Sequence, residues 1–445
     1  MAEQPVSKKK KRAPKAPELL RGFKDILPEE APYWQRVRAA AGVLLADYGY
    51  GEIQLPILEA TSLFKRTIGE HTDIVSKEMF SFLDQGGDSV SLRPELTASM
   101  ARAYIEHGMF NRPQPVKLYS LGPAFRYERP QAGRYRQHNQ LSMELFGNAE
   151  PSADAEVIFI AYLLCKELGL DVTIHINSLG SNEAREEYVR LLKEYTKPKR
   201  SLLCEDCKKR LAKNPLRLLD CKEESCRSLF ASAPLLVDNL DEESKKHFVA
   251  VLEHLDESSV PYELDPYIVR GLDYYNRTAF EIVASVAGDG GVSDEASAHL
   301  AIGGGGRYDG LVETLGGRST SAVGMAFGLE RVVSAFKKSK ASIGSEKKPQ
   351  VFLAQLGEEA AKHMFTLFET LRSSGLKVRA NFGKSGLKAQ LELADKLGVV
   401  YAAILGQKEL LDGTVIIRDM ENGIQEVVDL AKIVDELKKR LKRGR

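Results

Sequence analysis

Between Gly122 and Gly147 the chain reads GPAFRYERPQAGRYRQHNQLSMELFG. On a β-strand, side chains two apart share a face. Arg126 and Glu128 are therefore predicted on one side, with Phe125 and Tyr127 on the other. After a loop carrying Pro130, Gly133, Arg134 and Arg136, the same period groups Gln140, Ser142 and Glu144 and turns Leu141, Met143 and Leu145 away. Two such strands side by side present Arg, Glu, Gln and Glu to one polar surface. Guanidinium groups stay charged and bind oxygens in pairs, which suits phosphate. A solvated sheet face with ordinary ion pairs is the plainer alternative.

Two further clusters could join that surface. In VRGLDYYN (269–276), Arg270, Asp273, Tyr274 and Tyr275 surround a turn at Gly271, although paired tyrosines serve equally well as core aromatics. In GMAFGLER (324–331), small residues would let a helix pack closely on a sheet, with Arg331 emerging at its end. The run Gly303–Gly306 leads into Arg307, Tyr308 and Asp309. It lacks the lysine and helix start of a phosphate loop and signals a close backbone approach. No G-x-x-x-x-G-K-[ST], H-E-x-x-H or G-x-S-x-G is present.

Cys204, Cys207, Cys221 and Cys226 are spaced much like the ligands of a four-thiolate zinc site. Reduced, partly buried thiols are the alternative. Cys165, alone in an apolar helical stretch, reads as core.

The elements that must position these residues are legible in outline. Residues 29–48 place Tyr33, Trp34, Val37, Ala41, Leu44, Leu45 and Tyr48 at helical spacing, with Glu29 and Glu30 at the first turn. Short extended runs follow at 51–58, 78–83, 90–92, 116–119, 124–129 and 139–146, with a helix over 95–107. Many short strands with few intervening helices predict an antiparallel sheet and an α+β fold. A helix is expected over 154–168 and a strand over 171–177. From 181 to 258 strand alternation gives way to charged helices and the cysteine cluster, which reads as an insertion. Strand and glycine texture resumes at 260–282 and 301–306, followed by a helix through Arg331 and Phe336. The organisation is thus a basic tail (1–18), one discontinuous domain in two parts (19–180 and 259–336), the insertion (181–258), a Ser/Lys-rich linker (337–348) and a C-terminal α/β domain (349–445).

The whole chain has 445 residues and a formal net charge of +1, so no global charge excess advertises a nucleic-acid or membrane partner. Hydrophobic residues at 43% and charged residues at 28% are the mix of a globular protein with ample core. No run approaches the roughly 18 apolar residues of a membrane span, and no apolar segment of a secretory signal follows the N-terminus. The expectation is a cytoplasmic protein with no membrane partner. Lys8, Lys9, Lys10, Lys11, Arg12 and Lys15, with three prolines and little apolar content, predict a disordered tail. A nuclear address, an RNA contact and a merely solvated tail all fit that composition.

Taken together, the F-R-x-E stretch (125–128), GMAFGLER, RGLDYY (270–275) and GGGRYDGL (304–311) resemble the motifs of class II aminoacyl-tRNA synthetases, and specifically the histidyl-tRNA synthetase family of bacterial type. GEHTDIVSKEMFSF (69–82) and RPELT (93–97) extend the resemblance, which runs from about Leu19 to the C-terminus. It implies a catalytic domain built on a six-stranded antiparallel sheet, a mostly helical insertion near the acceptor stem, and a C-terminal anticodon-binding domain. It also implies a homodimer formed through 51–82.

The implied activity is two-step attachment of L-histidine to tRNA-His, with ATP and Mg2+. Arg126 would hold the α-phosphate and the histidine carboxylate, and Arg270 would face it across the same transition state. Arg331 would hold the γ-phosphate end with Arg134 nearby, and Glu128 would meet the adenine side. Glu95, Leu96, Thr97 and Gln140 would line the ammonium end of histidine, and Glu144, Tyr274, Tyr275 and Tyr308 the imidazole. Leu96 departs from the glycine common in the family, and His138 replaces a common aromatic and is expected in the loop. The resemblance makes any zinc on the four cysteines structural, since only some members carry them. The Ala132–Arg136 loop is the expected contact for the acceptor end. The rivals are a catalytically inactive regulatory paralogue serving histidine biosynthesis and a class II synthetase for another amino acid. The intact arginines and the last hundred residues disfavour the first, and RGLDYY paired with Glu144 disfavours the second.

Overall fold

The computed structural model describes residues 16–70, 72–129, 133–285, 299–339, 341, 349–383 and 386–443. The expectations for most of the basic tail, for linker residues 340 and 342–348, and for Ala132 lie outside the described residues. The chain divides into two compact units, Met1–Ala341 and Ser342–Arg445.

In the first unit the strands run β1 (Gly51–Glu52), β2 (Leu58–Ala60), β3 (Ser81–Leu83), β4 (Ser89–Leu92), β5 (Val116–Phe125), β6 (Gln137–Phe146), β7 (Val172–Ser178), β8 (Tyr262–Leu264), β9 (Asn276–Ser285), β10 (His299–Arg307) and β11 (Ala322–Gly328). Among the described residues the main sheet has the order β1-β5-β6-β11-β10-β9-β7-β8. Its central six strands are antiparallel throughout, as expected. The short edge strands β1 and β8 are added in parallel, making eight in all. A smaller sheet, β2-β4-β3, stands apart.

Helices cover the sheet for reasons visible in their spacing. The helix Ala31–Asp47 turns Trp34, Val37, Ala40, Ala41, Leu44 and Leu45 inward. The helix Pro151–Glu167 buries Val157, Ile158, Ile160, Ala161, Leu164 and also Cys165, which is core as expected. Each large apolar side chain buried this way contributes about 1.5–3 kcal/mol. Glu29 and Glu30 precede the first helix instead of occupying its first turn; Glu30 is the N-cap and pairs with Lys24 and Lys337. The stretch 181–258 is helical, as its texture predicts. Ser181 Oγ caps the helix Asn182–Thr196, and Asp241 caps Glu242–Glu257 by accepting from the Ser244 amide at 2.8 Å.

Two local expectations are corrected. First, the extended run through 124–129 ends at Phe125, so Arg126 and Glu128 lie just beyond β5 and not on it. The backbone there is redirected: the Arg126 amide bonds to the Arg136 carbonyl and the Tyr127 amide to the Glu78 carbonyl. Second, GMAFG in GMAFGLER is the strand β11; the helix begins only at Leu329. The small residues there serve a strand crossing the site floor.

The second unit carries β12 (Val351–Leu356), β13 (Val378–Ala380), β14 (Tyr401–Gly406), β15 (Thr414–Asp419) and β16 (Gln425–Asp429), in the order β13-β12-β14-β15-β16. The run Val351–Ala354 is apolar without alternation because both faces are covered. Val351 and Leu353 pack with Met364 and Leu371 of the helix Glu358–Ser373, and Phe352 and Ala354 with Ala394 of the helix Leu387–Lys396.

Candidate active site

The polar row predicted on 139–146 exists, and it is longer than expected. Strand β6 begins at Gln137, so His138 belongs to the strand and not to a loop, in line with Gln140, Ser142 and Glu144. Most positions opposite these side chains are small, Leu118 across from Glu144 on β5 being the exception. Ala124, Gly122 and Ser120 pair with His138, Gln140 and Ser142 on β5, and Gly328, Ala326 and Gly324 pair with Gln140, Ser142 and Glu144 on β11. A Cβ on Gly324 would stand 1.6 Å from Glu144 Oε2. The glycines of GMAFG therefore clear space for the carboxylate at the centre of the sheet.

Glu144 is fully buried. Thr97 Oγ1 donates to its Oε1 at 2.6 Å and Ser142 Oγ at 2.7 Å, while the Tyr308 hydroxyl donates to Oε2. Burial pushes its pKa up to about 7, against the pull of these donors. Thr97 opens the helix Thr97–Glu106, whose first amides are satisfied by Glu95: Thr97 N at 2.8 Å and Ala98 N at 2.9 Å. A carboxylate at a helix N-terminus meets both the free N–H groups and the positive dipole end. Burial nonetheless raises the Glu95 pKa. Leu96 points into the apolar core and brings only backbone to this corner.

The tyrosines close the pocket. Tyr308 packs edge-on against Tyr274 at 5.5 Å and Tyr275 at 6.2 Å between ring centroids. Arg270 lies 5.4 Å from the Tyr275 ring centre and donates to Glu281 at 2.9 Å. It passes over Gly304, where a Cβ would come within 2.7 Å of its Nη1. That is the close approach foreshadowed by the glycine run. Arg270 Nε and Gln140 Oε1 are buried without a hydrogen-bond partner. Unsatisfied buried polar atoms are uncommon in native structures, and these two sit at positions expected to meet the substrate.

At the other end of the row, arginines gather. Arg126 Nε donates to the Pro94 carbonyl at 2.9 Å, and Arg331 Nη1 to the Ala301 carbonyl at 2.6 Å. Arg134 reaches Glu128 at 3.4 Å, and Gly133 lies beside the Arg331 stem. Burial, then the charge of Arg134, lowers the Arg331 pKa. His138 sits among them, and burial followed by Arg126 and Arg331 pushes it down to about 3, so its ring is neutral at pH 7. Converging guanidinium groups suit an anion, with Glu78, Glu128 and Glu281 also within electrostatic range of them.

Three residues carry structural weight that the sequence does not announce. Arg307, fully buried, binds Asp154 at 3.0 Å through Nε, the Asn148 and Glu150 carbonyls, and Asp309 at 3.1 Å. It anchors the strand end that carries Tyr308. Arg185 donates to the Tyr275 carbonyl at 2.6 Å from the insertion's first helix. Ser142 is on the predicted polar face, yet its service to Glu144 is visible only in three dimensions. Arg307 stands inside a quoted motif and could have been singled out; Arg185 has no local signal.

The four cysteines are brought together as their spacing predicts, with all Sγ atoms within 4.8 Å of one another. No disulfide joins them.

The comparisons accord with this arrangement. The family model described as Histidyl-tRNA synthetase matches residues 22–332, and that described as Anticodon binding domain matches 350–440. A histidine--tRNA ligase of Desulforudis audaxviator is 47% identical over 94% of this chain and 98% of its own length. One from Caldicellulosiruptor saccharolyticus is 44% identical over 95% and 99%. The crystal structure of apo histidyl-tRNA synthetase from S. aureus superimposes with a TM-score of 0.77 at 35% identity, covering 95% of this chain and 99% of that one. The chain is a member of the histidyl-tRNA synthetase family, with its class II catalytic fold and C-terminal anticodon-binding domain.

Proposed function

We propose that this chain is an ATP-dependent histidine--tRNA ligase whose specificity rests on Glu144. Free histidine near pH 7 carries a largely neutral imidazole, with one N–H donor and one nitrogen acceptor. Glu144 accepts the N–H, and Tyr275 with Tyr274 and Tyr308 lines the remainder of the ring. Glu95, Thr97 and Gln140 receive the α-ammonium group; Leu96 shapes the backbone beside it. The observation that supports this most is a fully buried carboxylate held by Thr97, Ser142 and Tyr308, with the unpartnered Gln140 Oε1 in the same row. Such a site rejects side chains that cannot pair with it, because a buried polar group left unpaired is costly.

In the first step the histidine carboxylate oxygen attacks the α-phosphorus of ATP, which enters as its magnesium complex, and pyrophosphate leaves. Arg126 and Arg270 flank the reacting carboxylate and α-phosphate, neutralising the charge that builds there. Arg331 and Arg134 hold the outer phosphates, and Glu128 the adenine side. In the second step the terminal ribose hydroxyl of tRNA-His attacks the histidyl carbonyl and AMP leaves. The 133–136 loop beside Arg331 meets the acceptor end, and the second unit binds the anticodon, where unstacked bases are read by side chains.

The supporting assembly follows the same reading. Ile57, Leu58 and Phe82 are exposed on and beside the β2-β4-β3 sheet, which supports a homodimer contact through 51–82. Among the described residues no helix is long and apolar enough to cross a membrane, and the protein works in the cytoplasm with the translation machinery. Cys204, Cys207, Cys221 and Cys226 hold a structural Zn2+. Charging of tRNA-His with labelled histidine by the full chain tests the whole reading. Histidine-dependent adenylate formation without charging would remove the tRNA half, and neither activity would favour the regulatory alternative.

A further inference from the structure

The insertion and the histidine pocket share one buried cluster: Cys207, Cys221 and Cys226 pack in the same apolar core as Val269, Tyr275 and Tyr308. Between the second and third cysteines lies the segment 208–220, and it reaches outward. Asn214 Nδ2 donates to Asp273 Oδ1 at 2.9 Å, and Arg217 Nη2 approaches Asp73 at 3.9 Å and binds Asp220 at 3.2 Å. Asp273 immediately precedes Tyr274 and Tyr275. It also crosses Gly69, where a Cβ would stand 2.2 Å from its Oδ2. The tight turn at 270–275 is thus gripped by side chains whose own position depends on the cysteine cluster.

The cluster has the dimensions of a single-ion site. With metal–sulfur bonds of about 2.3 Å, sulfurs at the corners of a tetrahedron stand about 3.8 Å apart. Cys204 and Cys221 Sγ are 3.9 Å apart, and all four fall within 4.8 Å. Four sulfurs this close leave room for one ion and none for a cluster with bridging sulfides. Backbone amides already point at the sulfurs: Cys207 N at 3.4 Å from Cys204 Sγ, and Cys204 N at 3.4 Å from Cys226 Sγ. Such donors stabilise thiolates and orient ligands. A closed tetrahedral S4 set selects zinc among the common ions, with mononuclear iron its nearest competitor.

We propose that a Zn2+ on Cys204, Cys207, Cys221 and Cys226 is a positioning device for histidine recognition, fixing Asn214 and Arg217 so that they hold Asp273 and Asp73 and set the Arg270–Tyr275 turn. This rests on the histidine-activating reading above. The ion touches no substrate; it acts through Asn214 on the tyrosines that face Glu144.

The test uses the full chain, purified reduced and without chelator. Metal analysis is expected to give about one zinc per chain. Asn214→Ala should keep its zinc yet weaken histidine binding, read by calorimetry, about tenfold, the effect of losing a hydrogen bond to a charged acceptor. The KM for ATP, read by pyrophosphate exchange, should not move. Asn214→Asp should do worse by placing two carboxylates together, and adding Asp273→Asn in the same chain should restore most of the affinity. Chelator-stripped protein should lose histidine affinity at least as far and regain it with added Zn2+. If the stripped protein unfolds by circular dichroism, the Asn214 series carries the test alone. Well under one zinc per chain, iron in its place, or cysteines recovered as disulfides would overturn the zinc assignment. Unchanged histidine affinity in Asn214→Ala, or histidine and ATP constants rising together, would overturn the positioning role. A wild-type chain that binds histidine but exchanges no label defeats the catalytic reading and leaves this comparison intact. One that binds no histidine overturns both.

Discussion

The two ends of the β6 row solve different problems. At the Glu144 end the carboxylate is buried and bonded before any substrate arrives, with Thr97, Ser142 and Tyr308 aimed at it, and Gln140 Oε1 is left open beside it. At the His138 end the arginines are tethered by one arm each to backbone carbonyls, Arg126 to Pro94 and Arg331 to Ala301. In the proposed function the first end reads the side chain, where a mismatch leaves a buried group unpaired. The second would meet the phosphates with long side chains. The proposal thus concentrates discrimination at Glu144 and spreads phosphate handling over the arginines.

The largest effect is expected at Glu144. Glu144→Ala leaves an imidazole N–H and three protein donors unpaired, so kcat/KM for histidine in pyrophosphate exchange should fall by about a thousandfold or more. Arg126→Lys keeps the charge but not the fork. Its kcat should fall about a hundredfold with the histidine KM nearly constant, as for a group acting on developing charge. Tyr308→Phe removes one donor to Glu144 and should raise the histidine KM about tenfold. Arg134→Ala, at the half-exposed rim with only a 3.4 Å ion pair, should change the ATP KM no more than a few-fold.

A pH series sharpens the contrast. The folded pKa of Glu144 is raised from the ordinary carboxylate value to about 7. The folded state therefore binds a proton that the unfolded state has released between roughly pH 4.5 and 7. Ionising Glu144 in the fold costs stability that is absent below about pH 4.5 and complete above 7, on the order of 3 kcal/mol at most. Glu144→Gln should accordingly raise Tm at pH 8 and leave it near wild type at pH 4.5, while destroying histidine activation. A Tm unaffected at both pH values would mean that Glu144 is not strained in the apo protein.

The same division explains what the sequence made legible. The alternation over 139–146 is local, so Gln140, Ser142 and Glu144 could be placed on one face without a partner strand. The end of β5 could not be placed that way. Phe125-Arg126-Tyr127 continues the strand pattern, and only the distant Arg136 and Glu78 carbonyls turn the backbone aside. Likewise Gly304 and Gly324 announce a close approach, but Arg270 and Glu144, which occupy the cleared space, arrive from elsewhere in the chain. His138 extends the strand by one polar residue beyond the visible alternation, and its residue type carries no sign that Arg126 and Arg331 surround it. Arg185 shows the limit plainly: its partner is a backbone carbonyl, which leaves no trace in the residue types.

In the proposed reaction the buried carboxylate of Glu144 selects histidine for activation. Exchange of labelled pyrophosphate into ATP by the full chain, with each of the twenty amino acids in turn and with Glu144→Ala beside the wild type, tests it most directly. Exchange is expected with histidine alone, and is expected to be lost in the variant. Exchange with another amino acid, or near-normal histidine-dependent exchange by Glu144→Ala, would contradict it.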